Sequence, residues 1–503
     1  MSNFITNFIR FHPVKTQRGL EIFTGLVPWT LILFLLVGSF LTPTLVAIFV
    51  ILFNVYWLYR STTMAINVIS GYLNIKATEK TDWMAKLQTD PATKNLYPKV
   101  VHAFFLCNVK EPVATLRRTL DSIAAQNFPA GQIAVVLAME ERDPEGHDKA
   151  KKLICEYKNR FGTIISTHHL LAPGETIGKH SNEAYAAKII KKLLVDQKKI
   201  PIENITLTTS DADSVFPHQY FSLLTYQFLT SKDNLNKFYQ APMFPFNNID
   251  KVPLGIRIME LPSGISQISG LKKLSSRFFV VSTYTTSLWL LDKIGYWDLD
   301  YIPEDWHLNL KAYFETGGKV GIVPLYLVIS IDAAESVTVW RTYQNRYQQV
   351  KRQAWGAVDV PYAIKQFFLH SEIPFWDKLN KLSFVLESHL LWSVNWFILT
   401  IGANLPTFLN PAFAQTALGF NLSKVSSFIL TLCLFGLITI ITVTVLLNPK
   451  HQKKWGQFLH PLTYLQWIFL PIAGFFLNAL PGLEAQTRLM LGKYIEYQVT
   501  EKV

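Results

Sequence analysis

Two short acidic motifs stand out in a chain of 503 residues. Asp211-Ala212-Asp213 sets two carboxylates close together, directly after the strand-like run Asn204 to Thr209. Such a pair can hold a hard divalent cation, Mg²⁺ or Mn²⁺, whose remaining positions are filled by phosphate and water. The same residues also make an ordinary acidic turn that caps the next helix. Glu304-Asp305-Trp306 follows Pro303 and opens a helical stretch ending at Gly317-Gly318. Asp305 is a candidate general base, although acidic residues at a helix start also simply complement its dipole. Gln349, Arg352 and Trp355 follow in QVKRQAW. An Arg beside an indole can stack on a sugar and grip a pyrophosphate. The same composition suits a helix lying at the level of lipid headgroups.

These groups need a scaffold. Lys99 to Leu106 and Gln132 to Ala138 are short, apolar and bounded by turn residues, the pattern of buried parallel strands. Val113 to Gln126 carries Leu116, Leu120 and Ile123 at helical spacing between them. Thr163 to Leu170 and Asn204 to Thr209 read as further strands, separated by a helical stretch around Asn182 to Leu194. Alternating strands and helices predict an α/β sheet that binds ligands beyond the carboxyl ends of its strands. The polar motifs fall at those ends.

Composition adds a membrane. Charged residues are 17% and hydrophobic residues 50%, with a formal net charge of +12. A soluble domain carries about 25% charged residues. Disordered chains, collagen-like fibres and disulfide-stapled miniproteins are excluded. Ile22 to Phe40 and Leu45 to Leu58 are apolar runs broken at Leu41-Thr42-Pro43, so a helical hairpin is expected. Arg10, Lys15, Arg18 and Arg60 flank it, which places both flanks in the cytoplasm by the positive-inside bias. No cleavable signal peptide is expected, because the first apolar run is long and leads into another. Apolar runs return at Phe384 to Gly402, Phe428 to Leu447 and Leu462 to Leu480, the last interrupted by Pro471. Lys450, Lys453 and Lys454 make the intervening loop cytoplasmic, while the Asn404 to Ser426 loop faces outside. Phe367 to Trp376 is expected to form an interfacial helix. The basic excess is spread over juxtamembrane segments and suits anionic headgroups, not nucleic acid. Cys107, Cys155 and Cys433 lack ligand spacing and read as thiols of a reducing compartment. His180, His218 and His307 lie near the motifs and are expected to be hydrogen-bonded structural groups. Glu387 and His389, at a membrane run, either line a substrate path or reach back to the interface.

The order of motifs between apolar ends is the distinctive feature: Asn108 to Glu111, then Glu140-Glu141, D-A-D, P-E-D-W and Q-x-x-R. In this order the chain resembles the membrane-embedded family 2 glycosyltransferases, the broad group of cellulose and hyaluronan synthases. The likeness runs from the N-terminal hairpin to the closing VTEK. Its most specific stretch is Ser282 to Pro324, with GKHSNEA at Gly178 to Ala184 beside it. The resemblance implies a GT-A fold with a nucleotide lying across the strand ends. It assigns Asn108, Glu111 and Glu140 or Glu141 to the donor's base, Lys179 to its phosphates, and Asp211 and Asp213 to donor and metal. Glu304, Trp306, Gln349, Arg352 and Trp355 fall on the acceptor side, and Asp305 takes the proton from the attacking hydroxyl. Two positions depart from the family pattern. Glu140-Glu141 stands where the family has an Asp after its second strand, and Gln353 where it has the Trp of Q-x-x-R-W, with Trp355 two residues later.

The resulting expectation is an α/β GT-A domain between transmembrane helices. A basic cytosolic segment spans 1–21, a helical hairpin 22–60 and the catalytic domain 75–340. The Q-x-x-R segment with interfacial helices spans 341–383, about three transmembrane or re-entrant segments 384–480 and a tail 481–503. The expected activity is inverting, metal-dependent transfer from a nucleotide-sugar, most simply a UDP-sugar, to a lipid-linked or polysaccharide acceptor. Export-complex subunits are possible partners, and a bacterial cell membrane with the catalytic domain inside is the expected setting. A processive, polymer-extruding synthase and a catalytically silent export scaffold are the competing readings.

Overall fold

The computed structural model describes residues 2–273, 277–449 and 465–495. The basic loop with Lys450, Lys453 and Lys454, the start of the last apolar run and the terminal VTEK lie outside the described residues.

The central sheet is built from β1 (Val101–Asn108), β2 (Ile133–Glu140), β3 (Thr163–His169), β4 (Ile205–Ser210), β5 (Lys237–Gln240), β7 (Tyr284–Ser287) and β8 (Gly321–Pro324), while β6 (Met243–Phe244) pairs with β9 (Ile329–Ser330) apart from it. Strand order is β3-β2-β1-β4-β7-β5-β8. The first four neighbours run parallel, and β7 runs antiparallel to both β4 and β5. β1 and β2 are buried nearly end to end, because helices cover both faces of a parallel sheet. Residues alternate between two cores. Phe104 and Leu106 face one side with Val135, Leu137 and Phe221; Phe105 faces the other with Val136, Ala187 and Leu290. Each such side chain contributes about 1.5–3 kcal/mol by leaving water.

All four predicted strands are present, shifted by one or two residues. Sequence pattern alone did not reveal β5, β7 and β8, which are only four residues each and too short to show a period.

Among the described residues, four helices are long and apolar enough to cross a membrane: Pro13–Leu41, Pro43–Lys80, Ala417–Leu447 and Gln466–Met490. A fifth crossing is formed if Phe375–Leu390 and Asn395–Ile401, bent by 60°, make one span. The hairpin breaks at Thr42, as Leu41-Thr42-Pro43 suggested, because proline at the next helix's first position donates no N–H. Helices touch through small residues. A Cβ on Gly25 would overlap the carbonyl oxygen of Gln486, and one on Gly436 would overlap Ser61 Oγ. The last apolar run stays helical through Pro471 and Pro481, with a wide turn over Phe475–Ala479. Phe367 to Trp376 is not one helix. It ends one helix at Leu369 and starts the next at Phe375, since Pro374 fits only the start of a helix.

The Leu254–Leu271 helix ties sheet to spans. Ile256, Ile265 and Ile268 pack with Val68 and Ile75 of the second span and Ile441 of the third.

Candidate active site

β2 and β3 extend the sheet to one side of β1, and β4 continues it to the other. The chain therefore reverses its winding between β1 and β4. A crevice opens at such a point, beyond the carboxyl ends of the strands. Asn108 ends β1, Glu140 ends β2, and Asp211 follows the end of β4.

The antiparallel β7 supplies the other wall. Its first residue, Tyr284, pairs with Thr209 near the end of β4. Ser282 and Thr283 are thus delivered beside Asp211. Ser282 has a left-handed backbone, φ 52°, a conformation costing about 1–2 kcal/mol for a residue with a side chain. Three bonds hold it there. Its N–H donates to Asp305 Oδ2 at 2.9 Å, its carbonyl accepts from Lys179 Nζ at 2.7 Å, and its hydroxyl donates to Asp211 Oδ2. One residue therefore joins the D-A-D motif to the E-D-W motif, 71 and 23 positions away in sequence. Ser282 opens the most specific stretch of the sequence, yet a lone serine there signals no role of its own.

Lys179, at the start of the Lys179–Lys191 helix, reaches Asp211 Oδ1 at 3.0 Å and Glu183 Oε1 at 3.5 Å. Burial opposes its charge, but the two carboxylates outweigh burial and hold Lys179 well above its ordinary value. Glu183 is fully buried, takes a hydrogen bond from Thr209, and leaves Oε2 without a partner. Burial raises its pKa, while Lys179 pulls the other way. Glu183 was missed in the sequence; only its place one helical turn after Lys179 could have signalled it.

Asp305 also accepts from the Trp306 N–H at 2.8 Å. Burial raises its pKa, against the two N–H groups and Lys179. Glu304 beside it is pushed up to about 8, by burial first and then by the charge of Asp305. Glu304 and Asp305 are partly buried residues. A carboxyl of raised proton affinity and a second one protonated near neutrality are thus adjacent. Their helix is anchored by His307, whose Nδ1 is 2.7 Å from Asp359 and whose Nε2 is 2.9 Å from Asp298. His307 is a hydrogen-bonded structural group, as the sequence suggested.

Asp213 is buried, and its Oδ2 accepts from the Asp332 N–H at 3.0 Å. Asp332 itself has a buried, partnerless Oδ1. Asp211, Asp213 and Asp332 thus gather carboxylate oxygens, the kind of donor that Mg²⁺ or Mn²⁺ takes, although Lys179 pairs with Asp211 and Arg118 with Asp332 at 2.7 Å. Among the described residues, the one trio of His, Cys, Asp and Glu with ligand atoms within 4.8 Å lies elsewhere, at Glu141, His147 and His168.

The remaining candidates fall into two groups. Asn108 Nδ2 contacts Met139 Sδ at 3.1 Å and Asp143 Oδ2 at 3.4 Å. Asp143, paired with Lys149 at 3.0 Å, is a buried carboxylate that no sequence motif marks. Glu140 is buried against Arg142, and burial raises its pKa despite that pairing. Glu141 instead points outward to His147. Glu111 Oε2 folds back onto the N–H groups of Val109 and Lys110, at 2.8 and 3.1 Å. On the membrane side, Trp306 packs on Phe279, Phe384 and His389. Gln349 accepts from Arg346, which pairs with Glu260 at 2.7 Å. Arg352 lies half-buried on the same Val339–Ala354 helix. Trp355 is 4% exposed and packs with Ala357 beside it and with Ala485 and Leu489 of the last helix, with Ile302 alongside.

No family model matches the sequence, and no curated protein does. Solved structures do resemble it. A mannosyltransferase from Pyrobaculum calidifontis in complex with GDP-Man and Mn²⁺ aligns over 76% of this chain and 97% of its own, with 13% identity and a TM-score of 0.42. TarS residues 1–349 from S. aureus in complex with UDP-GlcNAc align over 79% and 94%, with 13% identity and a TM-score of 0.38. At such scores these likenesses carry no functional weight, which falls on the site itself.

Proposed function

We propose that the chain is a membrane glycosyltransferase with a GT-A catalytic domain, transferring a sugar from a nucleotide-sugar with inversion. The observation that carries this reading is the bridge at Ser282, which bonds both Asp211 of the D-A-D motif and Asp305 of the E-D-W motif and so supports one site that holds a cation-binding carboxylate and a base. Direct displacement at an anomeric carbon needs those two parts together.

In this reading Asp305 accepts the proton of the acceptor hydroxyl as its oxygen bonds to the anomeric carbon. The bond from that carbon to the diphosphate breaks, and its electron pair leaves with the nucleotide. Lys179 meets the growing charge on the phosphates. A divalent ion held at Asp211 and Asp213 would supply further electrostatic stabilisation there. Asn108, Glu111 and Glu140, with Asp143, edge the end of the crevice where the base would lie, and Glu304 and Trp306 edge the acceptor side. The family 2 resemblance supports a UDP-sugar donor. Basic residues on both flanks of the first hairpin support a cytoplasmic catalytic domain.

The burial of Trp355 bears on the acceptor. An indole packed against the last helix offers no open platform for a polymer's terminal sugar, which favours single transfer to a lipid at the membrane surface over polymer extrusion.

The test is nucleotide release by detergent-purified protein over a panel of UDP- and GDP-sugars, with Mg²⁺, Mn²⁺ or chelator, and total lipid extract. Metal-dependent release with one donor and label in an organic-soluble product is expected. Donor binding without release under every condition would instead support the silent scaffold.

A further inference from the structure

A cluster of cations beside the first hairpin has no part in the chemistry above. Arg60, just past the apolar stretch of the second helix, donates to Glu387 Oε1 at 2.8 Å and to Tyr56 Oη at 3.0 Å. Arg277 donates to Glu387 Oε2 and, at 3.2 Å, to Asn380 Oδ1. One carboxylate thus serves two guanidiniums. Lys273 joins the same group, and among the described residues no carboxylate forms an ion pair with it. Lys273 is an exposed residue whose pKa is lowered by desolvation first and then by the neighbouring charges of Arg60 and Arg277, with Glu387 alone in its favour. Three cations held around one carboxylate leave a charge of two uncompensated, in a place where each repels the others. An anion arriving there would relieve that repulsion.

Two features say what kind of anion. Exposed Leu52, Tyr59 and Ile66 offer apolar surface on the same helix as Arg60. An anion attached to an acyl or isoprenoid chain can use both. The cluster also lies one aromatic layer from Asp305. The Arg277 guanidinium is 5.8 Å from the Phe384 ring, Phe384 stacks on Trp306 at 6.0 Å, and Trp306 follows Asp305. Arginine forks match phosphate oxygens in pairs, and a neighbouring ammonium adds a point charge.

We propose that Arg60, Lys273 and Arg277 form a binding site for the phosphate of a membrane lipid, at the membrane-facing entrance to the Asp305 crevice. The phosphate comes either from bulk phospholipid or from a lipid that carries the acceptor; only this second source rests on the glycosyltransferase reading.

The full chain, purified in a neutral maltoside detergent, is titrated with phytanyl phosphate and, separately, with phytanol, and binding is read by native mass spectrometry without any sugar donor. Phytanyl phosphate should bind at least tenfold more tightly than phytanol. Lys273→Gln, which disturbs no ion pair, should weaken it about fivefold, and adding Arg277→Gln should weaken it about fivefold again. Thermal melts establish that both variants are folded. Displacement by phosphatidylglycerol at equal concentration identifies bulk phospholipid as the source; resistance to it identifies the acceptor carrier. Equal binding of phytanol and phytanyl phosphate, or unchanged binding in both variants, overturns the proposal. Because no donor is present, the result stands even if the protein transfers no sugar.

Discussion

The backbone N–H of Ser282 donates to Asp305 Oδ2 at 2.9 Å, and this bond fixes which way the candidate base faces. It depends on the left-handed conformation of Ser282. Glycine adopts that conformation freely, whereas a β-branched residue resists it. Ser282→Gly should therefore keep the fold and the Asp305 bond, losing only the hydroxyl contact with Asp211. Ser282→Val should cost about 1–2 kcal/mol of stability and lower kcat by more than the glycine variant does. Melting curves and steady-state kinetics of the two variants check this.

The raised pKa of Asp305 has a visible consequence for rate. A general base must be ionised, so kcat/KM should fall as pH drops through a value above the ordinary aspartate range. Lys179 favours the ionised forms of both Asp305 and Glu304. Lys179→Gln should move this acid limb to higher pH, and a pH–rate profile of wild type and variant would show an unmoved limb if the two groups were uncoupled.

His307 links stability to pH. Burial opposes its charge, but the bonds to Asp298 and Asp359 prevail and raise it above its ordinary 6.5. A group raised on folding stabilises fully below its unfolded value and loses that contribution as pH climbs through its folded value. Stability should therefore decline from about pH 6.5 upward. His307→Gln should remove that slope and cost about 3 kcal/mol, since it leaves Asp359 buried without its cation. Denaturation midpoints between pH 5.5 and 8.5 decide.

Close contact between the second and third spans predicts a steric effect. Gly436→Leu forces atoms against Ser61, both its hydroxyl and its backbone, and should destabilise the detergent-solubilised protein by about 1–3 kcal/mol. A Cβ on Gly19 would meet nothing within 4 Å, so Gly19→Ala should be neutral or slightly stabilising. Thermal melts of both variants test whether these spans pack as described.

Much of this was readable in the sequence because it is local. β1 and β2 are continuous apolar runs, and the hairpin announces itself by length and by Pro43. The D-A-D and E-D-W motifs were visible as residues, and the family resemblance put them in one site, but the Ser282 bridge between them was not visible. Their union depends on β7, whose four residues carry no period and whose antiparallel pairing with β4 is a tertiary choice. The same holds for Glu183 and Asp143, ordinary carboxylates until the fold buries them beside Lys179 and Asn108. Trp355 could be found by its motif, yet its burial required knowing where the last helix packs.

The most direct test of the central claim compares wild type with Asp305→Asn in donor turnover and in donor binding, using the nucleotide-sugar that the wild type consumes. Loss of a general base should lower kcat by about 10²–10⁴-fold, with donor affinity retained because Lys179 and Asp211 are untouched. Turnover within a few-fold of wild type would contradict the assignment of Asp305 as the base.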